Sequence, residues 1–534
     1  MKLGSVSTFD RLASWARSSA HDHGESPLHR ITVLAYVGAL GAAIVYAIFI
    51  LNPNNAGQVI PYCALVAAEL LLLSNQGLMI LTILAGDQRA VSEGQRLGSD
   101  ARERLMDGRW QPTVDVLIPV YGESAAIIEL TARAARDMRV PHQTVICDDL
   151  GSPKIRALAQ EIGVGYRHRS GREGAKAGNL NSALVHSTSE FVAIFDSDHA
   201  PYPNFLEVTL PFLLNPSVGF VQTPQSYANA RESVVAAASH ESQRVFYELL
   251  CPGKNACNSA FSVGTNLVYR REALDEVGGL YQDTNSEDIW TSLRLHQRHW
   301  SSVYLPTVLA QGLAPTEVHS YLTQQFRWSR GAFEVLLHGR PWRLRGLTNE
   351  QRIQYLQPAM HFLQSFAMLF FMLLPALFLV FLIQPLRVDG AGWLLRYAPF
   401  WLMTHLAIYF QTGRLHGWSF IMAIAAAPVH IRAFFSALFR RGYGWSATNS
   451  DGLAPPAIDA LPIQITMLFI LIAAFFIGLF PLSSSPPTVI SLALCLIYAF
   501  ALGAGILRAH GDVSRSRHKA AEEAHLQALF EMSM

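Results

Sequence analysis

The sequence predicts an α/β domain, a mostly parallel sheet with helices on both faces, inserted into a bundle of about six membrane-spanning helices with further helices along the membrane interface. Three observations predict it. Uncharged apolar runs of about 20 residues, long enough to cross a bilayer, come in pairs toward the two ends of the chain. Between them charge returns over a stretch of a size usual for one fold. Within that stretch near-continuous apolar strands alternate with helical patterns, as in a parallel sheet covered on both sides. Composition agrees, since 51% of the 534 residues are hydrophobic and only 15% charged. Lys plus Arg number 41 against 40 Asp plus Glu, so no basic excess directs the chain to nucleic acid. The five cysteines are scattered, without zinc-ligand spacing, and are expected to be reduced.

Residues 1–30 are polar, rich in His, Ser and Arg and unlike a signal peptide, so they are expected to be a cytosolic segment. The first membrane region, 31–87, holds runs at 31–51 and 60–84; the soluble domain takes 88–357. The next region, 358–411, holds runs at 362–383 and 394–410, the second interrupted by Arg396 and His405. The last, 458–508, holds runs at 461–482 and 489–507, and 509–534 is a cytosolic tail. Six crossings leave both termini and the soluble domain on one side. Arg340, Arg343 and Arg345 before the third run, with Arg508, Arg515, Arg517 and Lys519 after the last, assign that side to the cytoplasm. Residues 418–439, within a segment spanning 412–457, are apolar but punctuated by Pro428, His430 and Arg432. Counting them as a crossing would export the basic tail, so they are expected to lie along the interface. Glu69, inside the second run, must face protein or a polar pathway.

In the soluble domain VDVLIPV, TVIC and FVAIF read as strands, with helices starting near Ser124 and Ser152. Ligands of such sheets bind beyond the carboxyl ends of the strands. Asp148 and Asp149 follow TVIC directly, and Asp196 and Asp198, in DSDH, follow FVAIF. Lone acids at such places are usually turn or cap residues. Two pairs together suit Mg2+ or Mn2+, which take oxygen ligands and share them with substrate phosphates. The expected ligand is therefore a nucleotide diphosphate, whose leaving charge the metal would neutralise.

The motifs IPVYGE, CDDLG, GAKAGNLN, DSDH, VQTP, CPGKNACNSAFSVGTNLVYRR, SEDIWTSLRLH and QQFRW occur in an order that resembles processive family 2 glycosyltransferases. Residues 115–336 are most similar to bacterial cellulose synthase catalytic subunits, and more distantly to hyaluronan and chitin synthases. The resemblance implies a GT-A type α/β domain in a multi-pass protein of the inner or plasma membrane. It implies an inverting, processive enzyme that polymerises a UDP-sugar, UDP-glucose first, into a beta-linked polysaccharide and translocates the product. Its implied partners are the UDP-sugar donor, the growing polysaccharide acceptor, the lipid bilayer and accessory secretion proteins.

On that resemblance Tyr121 stacks on the uracil base while Glu123 accepts its N–H. Asp148 or Asp149 contacts the nucleotide, although the family's DDG is DDLG here. Lys176 in GAKAGNLN meets phosphate or uridine. Asp196 and Asp198 resemble the DxD pair, Asp198 being the direct metal ligand. Asp288 in SEDIW matches the general base that takes a proton from the acceptor hydroxyl. Glu287 and Asp288 also suit the first turn of a helix. Gln324, Arg327 and Trp328 in QQFRW share one helix face, where Arg327 opposes pyrophosphate and Trp328 stacks on the acceptor sugar. WSATNS resembles the gating loop that closes over the nucleotide; Trp445 and Thr448 align, and Ser450 stands where the family has lysine. The tail after the last run is expected to be too short for an appended cyclic-di-GMP-binding domain. Two rival readings share the chemistry, a transferase adding one sugar to a lipid carrier and a hexosamine-polymer synthase. A third, a transporter or receptor whose inserted domain only binds nucleotide, predicts tolerance of Asp288→Asn.

Overall fold

The computed structural model describes residues 27–86, 101–284, 286–387, 390–413, 417–440, 461–480 and 485–532. The chain divides into two compact units. One comprises Met1–Leu84, Leu363–Ala427 and Ile463–Ala504; the other comprises Ala85–Phe362, Pro428–Pro462 and Gly505–Met534.

In the first unit long apolar helices dominate. Among the described residues six stretches are long and apolar enough to cross a membrane: Arg30–Leu51, Val59–Ala85, Asn349–Phe381, Ile421–Leu438, Pro462–Leu479 and Pro487–Gly511. The number is the one expected, with one exchange of members. The expected fourth span forms a helix, Gly390–Thr412, but with Arg396, His405 and polar ends it does not reach the same hydropathy, whereas Ile421–Leu438 does. Gly390–Thr412 nevertheless runs antiparallel along the helix Pro27–Leu51. Tyr36 Oη donates to Gln411 Oε1 at 2.9 Å toward one end, and Trp393 Nε1 to Tyr46 Oη at 3.0 Å toward the other. In Ile421–Leu438, 50% of the stretch is buried against protein, compared with 22–33% in the other five, so its apolar side chains serve packing as much as contact with lipid. Phe434, for example, meets Phe333 edge to face at 5.3 Å within the second unit.

Glu69 faces protein, as its cost in lipid requires. It is buried and accepts from Tyr46 Oη at 2.6 Å. The turns after the first and third long helices pair with each other, Gly57 N donating to Pro385 O at 2.8 Å and Arg387 N to Asn55 O at 2.9 Å. Both turns therefore lie at one end of the bundle.

The second unit is built on a seven-stranded sheet. Its strands are β1 (Val114–Val120), β2 (Gln143–Asp148), β3 (Gly165–His168), β4 (Phe191–Ile194), β6 (Val218–Gln222), β7 (Leu267–Arg270) and β8 (Ser301–Tyr304), in the order β3-β2-β1-β4-β7-β6-β8. A two-stranded sheet pairs β5 (Ala200–Pro201) with β9 (Ala310–Gln311). In the large sheet only β7 runs against its neighbours, so it is mostly parallel, as expected. All seven residues of β1 are buried, which explains its near-continuous apolar run, broken only by Asp115. Strand alternation sends Val114, Val116, Ile118 and Val120 into the core on one face and Leu117 into the core on the other.

Helices α1 (Ala125–Arg136), α2 (Pro153–Ile162), α3 (Ala175–Leu184), α4 (Glu287–Gln297) and α5 (Val318–Glu334) carry the rest of the frame. The first two begin where the sequence indicates, after Ser124 and Ser152. Pro153 opens α2 and Gly163, at φ +72°, closes it. With β2 on one side of β1 and β4 on the other, the strand order reverses at β1, and a crevice opens beyond its carboxyl end.

Candidate active site

The crevice collects side chains from five separate elements. From the end of β1 come Tyr121 and Glu123, linked by the Tyr121 amide donating to Glu123 Oε2 at 2.6 Å. Burial raises the Glu123 carboxyl despite that bond. Arg172 stacks over the Tyr121 ring at 5.8 Å. From the end of β4 come Asp196, Asp198 and His199, each of which offers one ligand atom within 4.8 Å of the others. His199 Nδ1 lies 2.7 Å from Asp198 Oδ1. Burial alone would lower the His199 pKa, but the Asp198 carboxylate outweighs it and raises it; burial likewise works upward on Asp198, and His199 brings it down.

Lys176 opens α3 after a tight turn in which Gly174 and Ala175 both have positive φ, +69° and +44°. Its ammonium reaches Asp196 Oδ1 at 2.5 Å and Gly264 O at 2.8 Å, with Glu287 Oε1 at 3.8 Å. Burial lowers its pKa, yet Asp196 and Glu287 together hold it above the usual value. Gly264 has φ +80°, and a Cβ there would sit 3.1 Å from Lys176 Nζ, 3.5 Å from Asp288 Oδ2 and 3.6 Å from Glu287 Oε1. The glycine therefore lets the main chain come close to three charged groups that a side chain would crowd.

Glu287 and Asp288 stand in the first turn of α4, after Ser286, so the helix-start reading and the acid cluster coincide. Burial and the neighbouring Glu287 push Asp288 up to about 7. Burial also raises Glu287, against the pull of Lys176. Against this turn packs α5, and Gly331 makes the approach possible. A Cβ at Gly331 would fall 1.7 Å from Ser286 Oγ. Thr284 Oγ1 donates to Glu334 Oε2 at 2.6 Å, tying the two segments together, and Glu334 pairs along α5 with Arg330 at 3.0 Å. Gln324, Arg327 and Trp328 lie half-buried on the same helix. Burial lowers the Arg327 pKa, and Asp196, Glu287, Asp198 and Asp288 oppose that shift, so its guanidinium is within electrostatic reach of all four acids.

At the end of β2 the picture differs. Asp148 accepts from Leu150 N at 2.9 Å, Ser152 N at 2.7 Å and Tyr166 Oη at 2.9 Å, and is fully buried. Asp149, also buried, forms a two-pronged pair with Arg169 at 2.6 and 3.0 Å. The structure thus gathers Lys176, Asp196, Asp198, Asp288 and Arg327, while both carboxylates of the β2 pair are taken up by protein groups. Trp445 and Thr448 lie outside the described residues. Sequence reasoning gave no ligand role to His199, although its type and its place directly after Asp198 are a metal-site signal. It also overlooked Gly264, whose role depends on residues distant in sequence.

Residues 112–331 match the family described as Glycosyltransferase like family 2, and residues 275–410 match the family described as Cellulose synthase. Among similar curated proteins is a UDP-forming cellulose synthase catalytic subunit of Pseudomonas fluorescens (strain SBW25), 35% identical over 279 residues, which are 51% of this chain and 38% of that one. Cellulose synthase 1 of Komagataeibacter xylinus is 32% identical over 278 residues, 51% of this chain and 18% of that protein. The matched segment therefore spans well under half the length of these relatives. Among solved structures, a mannosyltransferase from Pyrobaculum calidifontis in complex with GDP-Man and Mn2+ gives a TM-score of 0.46 at 18% identity, covering 68% of this chain and all of that one.

Proposed function

Since the chain carries a family 2 glycosyltransferase domain similar to that of cellulose synthases, we propose that it is a membrane-embedded, inverting, processive glycosyltransferase that polymerises UDP-glucose into a beta-linked glucan and passes the product across the membrane. The observation that carries the reading is Asp288, a carboxyl of raised proton affinity whose Oδ2 stands on the same side of Gly264 as the ammonium of the Lys176–Asp196 pair. A group meant to take a proton near neutrality needs such a pKa.

In this scheme Asp288 takes the proton of the acceptor hydroxyl as that oxygen bonds the anomeric carbon. The bond from that carbon to the diphosphate oxygen breaks, its electron pair leaves with UDP, and the configuration inverts. Lys176 and Arg327 supply positive charge for the diphosphate, Trp328 a face for the acceptor sugar, and Tyr121 with Glu123 the site for the base. Asp149, held by Arg169, is the member of the β2 pair that we assign to the nucleotide, and Asp148 orders the loop behind it. Asp196, Asp198 and His199 fit a divalent cation, because a mixed set of carboxylates and an imidazole lies within 4.8 Å. When bound, such an ion offsets charge on the leaving diphosphate. The basic flanks near Arg340 and Arg508 support a cytoplasmic catalytic domain, with Gly390–Thr412 crossing beside Pro27–Leu51 and residues 421–438 lying along the interface.

The test uses the full-length protein in lipid with labelled UDP-glucose, UDP-N-acetylglucosamine or UDP-glucuronate and Mg2+ or Mn2+, followed by linkage-specific glycosidase digestion. A long polymer from UDP-glucose is expected. A single transferred sugar, or no turnover from any donor, would overturn the reading.

A further inference from the structure

A chain of buried hydroxyls lies beneath Asp288, and no step of the scheme above uses it. Tyr269, on β7, donates its phenol to Ser262 Oγ at 2.7 Å. Ser262 Oγ in turn lies 3.0 Å from Asp288 O and 3.0 Å from Ser292 Oγ, and Ser292 Oγ lies 2.9 Å from Asp288 O. Ser262 N donates to Ser292 Oγ at 2.8 Å. Tyr269, Ser262 and Ser292 are each at most 1% exposed.

Ser292 alone needs no special account, since a helical serine commonly bonds the carbonyl four residues back. Ser262 and Tyr269 are different. They come from outside α4, and Ser262, itself held by Tyr269, reaches the one carbonyl that belongs to the proposed base. A buried hydroxyl costs about 1–3 kcal/mol when left unpaired, and a fully paired group of them makes the local structure rigid. At the carboxylate itself Oδ1 accepts from Ile289 N at 2.8 Å, while Oδ2 is the oxygen turned toward Gly264 and Lys176.

We propose that Tyr269, Ser262 and Ser292 are positioning residues that fix the first turn of α4, so that Asp288 Oδ2 is the oxygen presented to the acceptor hydroxyl. The proposal rests on reading Asp288 as the general base. Glu287 on the same helix and Lys176 on α3 face the carboxylate from the other side, with Arg327 on α5. The hydroxyl chain holds the main chain while these charges set the proton affinity.

The experiment compares Tyr269→Phe, Ser262→Ala and Asp288→Asn with the parent, all as full-length protein in lipid. It measures steady-state turnover of UDP-glucose, binding of UDP and the pH profile. Tyr269→Phe keeps the ring and removes only the hydroxyl. For Tyr269→Phe and Ser262→Ala, kcat is expected to fall about 10- to 100-fold, the scale of a misplacement of roughly 1 Å. KM for the donor and the affinity for UDP should stay within about twofold, since an interaction felt only in the transition state lowers kcat alone. The acidic limb should move to lower pH, because a loosened carboxyl reaches solvent. If Asp288→Asn is inactive while both hydroxyl variants keep kcat within about twofold, the positioning proposal fails and the base reading stands. Loss of UDP binding in step with kcat also overturns it, since the hydroxyls would then belong to the fold at large. Activity in Asp288→Asn removes the base reading and this proposal with it.

Discussion

Two pairs of aspartates stand on either side of β1, and their surroundings contrast. At the end of β2 every side-chain oxygen of Asp148 and Asp149 is engaged by a backbone amide, a phenol or a guanidinium. At the end of β4 Asp196 and Asp198 remain 33% and 23% exposed, and their partners are Lys176 and His199, groups that can exchange one anion for another. In the first pair Asp148 spends its charge on holding a loop, and Asp149 is held by Arg169. The second keeps charge available at the crevice. Equal charge at equal positions therefore does different work, and the difference lies in partners contributed by other parts of the chain.

The largest expected effect tests the β4 side. Asp198→Asn should lower turnover on the order of 10³-fold, the scale on which an electrostatic stabiliser of leaving charge acts, and leave thermal unfolding in detergent unchanged. A loss of stability in place of activity would erase the contrast. On the β2 side, Asp148→Ala removes three hydrogen bonds from a buried carboxylate. It should cost about 3 kcal/mol of stability, read as a lowered midpoint of denaturant unfolding. Gly331→Ala probes the packing that brings α5 to the β4 side. Its Cβ has no room beside Ser286, so a cost of about 2 kcal/mol is expected, with turnover reduced in step. The smallest effect is in pH. Asp288 must be ionised to accept a proton and is raised to about 7, so its active form is lost as pH falls. Between pH 7 and pH 6 kcat/KM should drop by up to about tenfold, and a flat profile there would detach Asp288 from the chemistry.

Much of the frame was legible because its causes are local. The near-continuous apolar run of β1 follows from burial on both faces, and Ser124 and Ser152 stand at helix starts, the second followed by Pro153, whose ring suits the first helical position. Hydropathy and position in the chain point differently at Gly390–Thr412 and Ile421–Leu438. In the first, Gln411 accepts from Tyr36; in the second, half of the stretch is buried against protein. The acids of the crevice could be found from strand ends, but their division of labour could not. Asp148 is saturated partly by Tyr166, and Gly264 borders groups from 88 residues before it, at Lys176, and from α4 after it. The Tyr269–Ser262–Ser292 chain has no sequence signature, since each member alone is an ordinary core residue.

The most direct test of the account is a paired measurement on Asp288→Asn in lipid: UDP affinity on one hand, and polymer formed from labelled UDP-glucose on the other. The account predicts UDP affinity within about twofold of the parent and no detectable polymer, because binding and proton transfer belong to different groups. Polymer formation at the parent rate would contradict it.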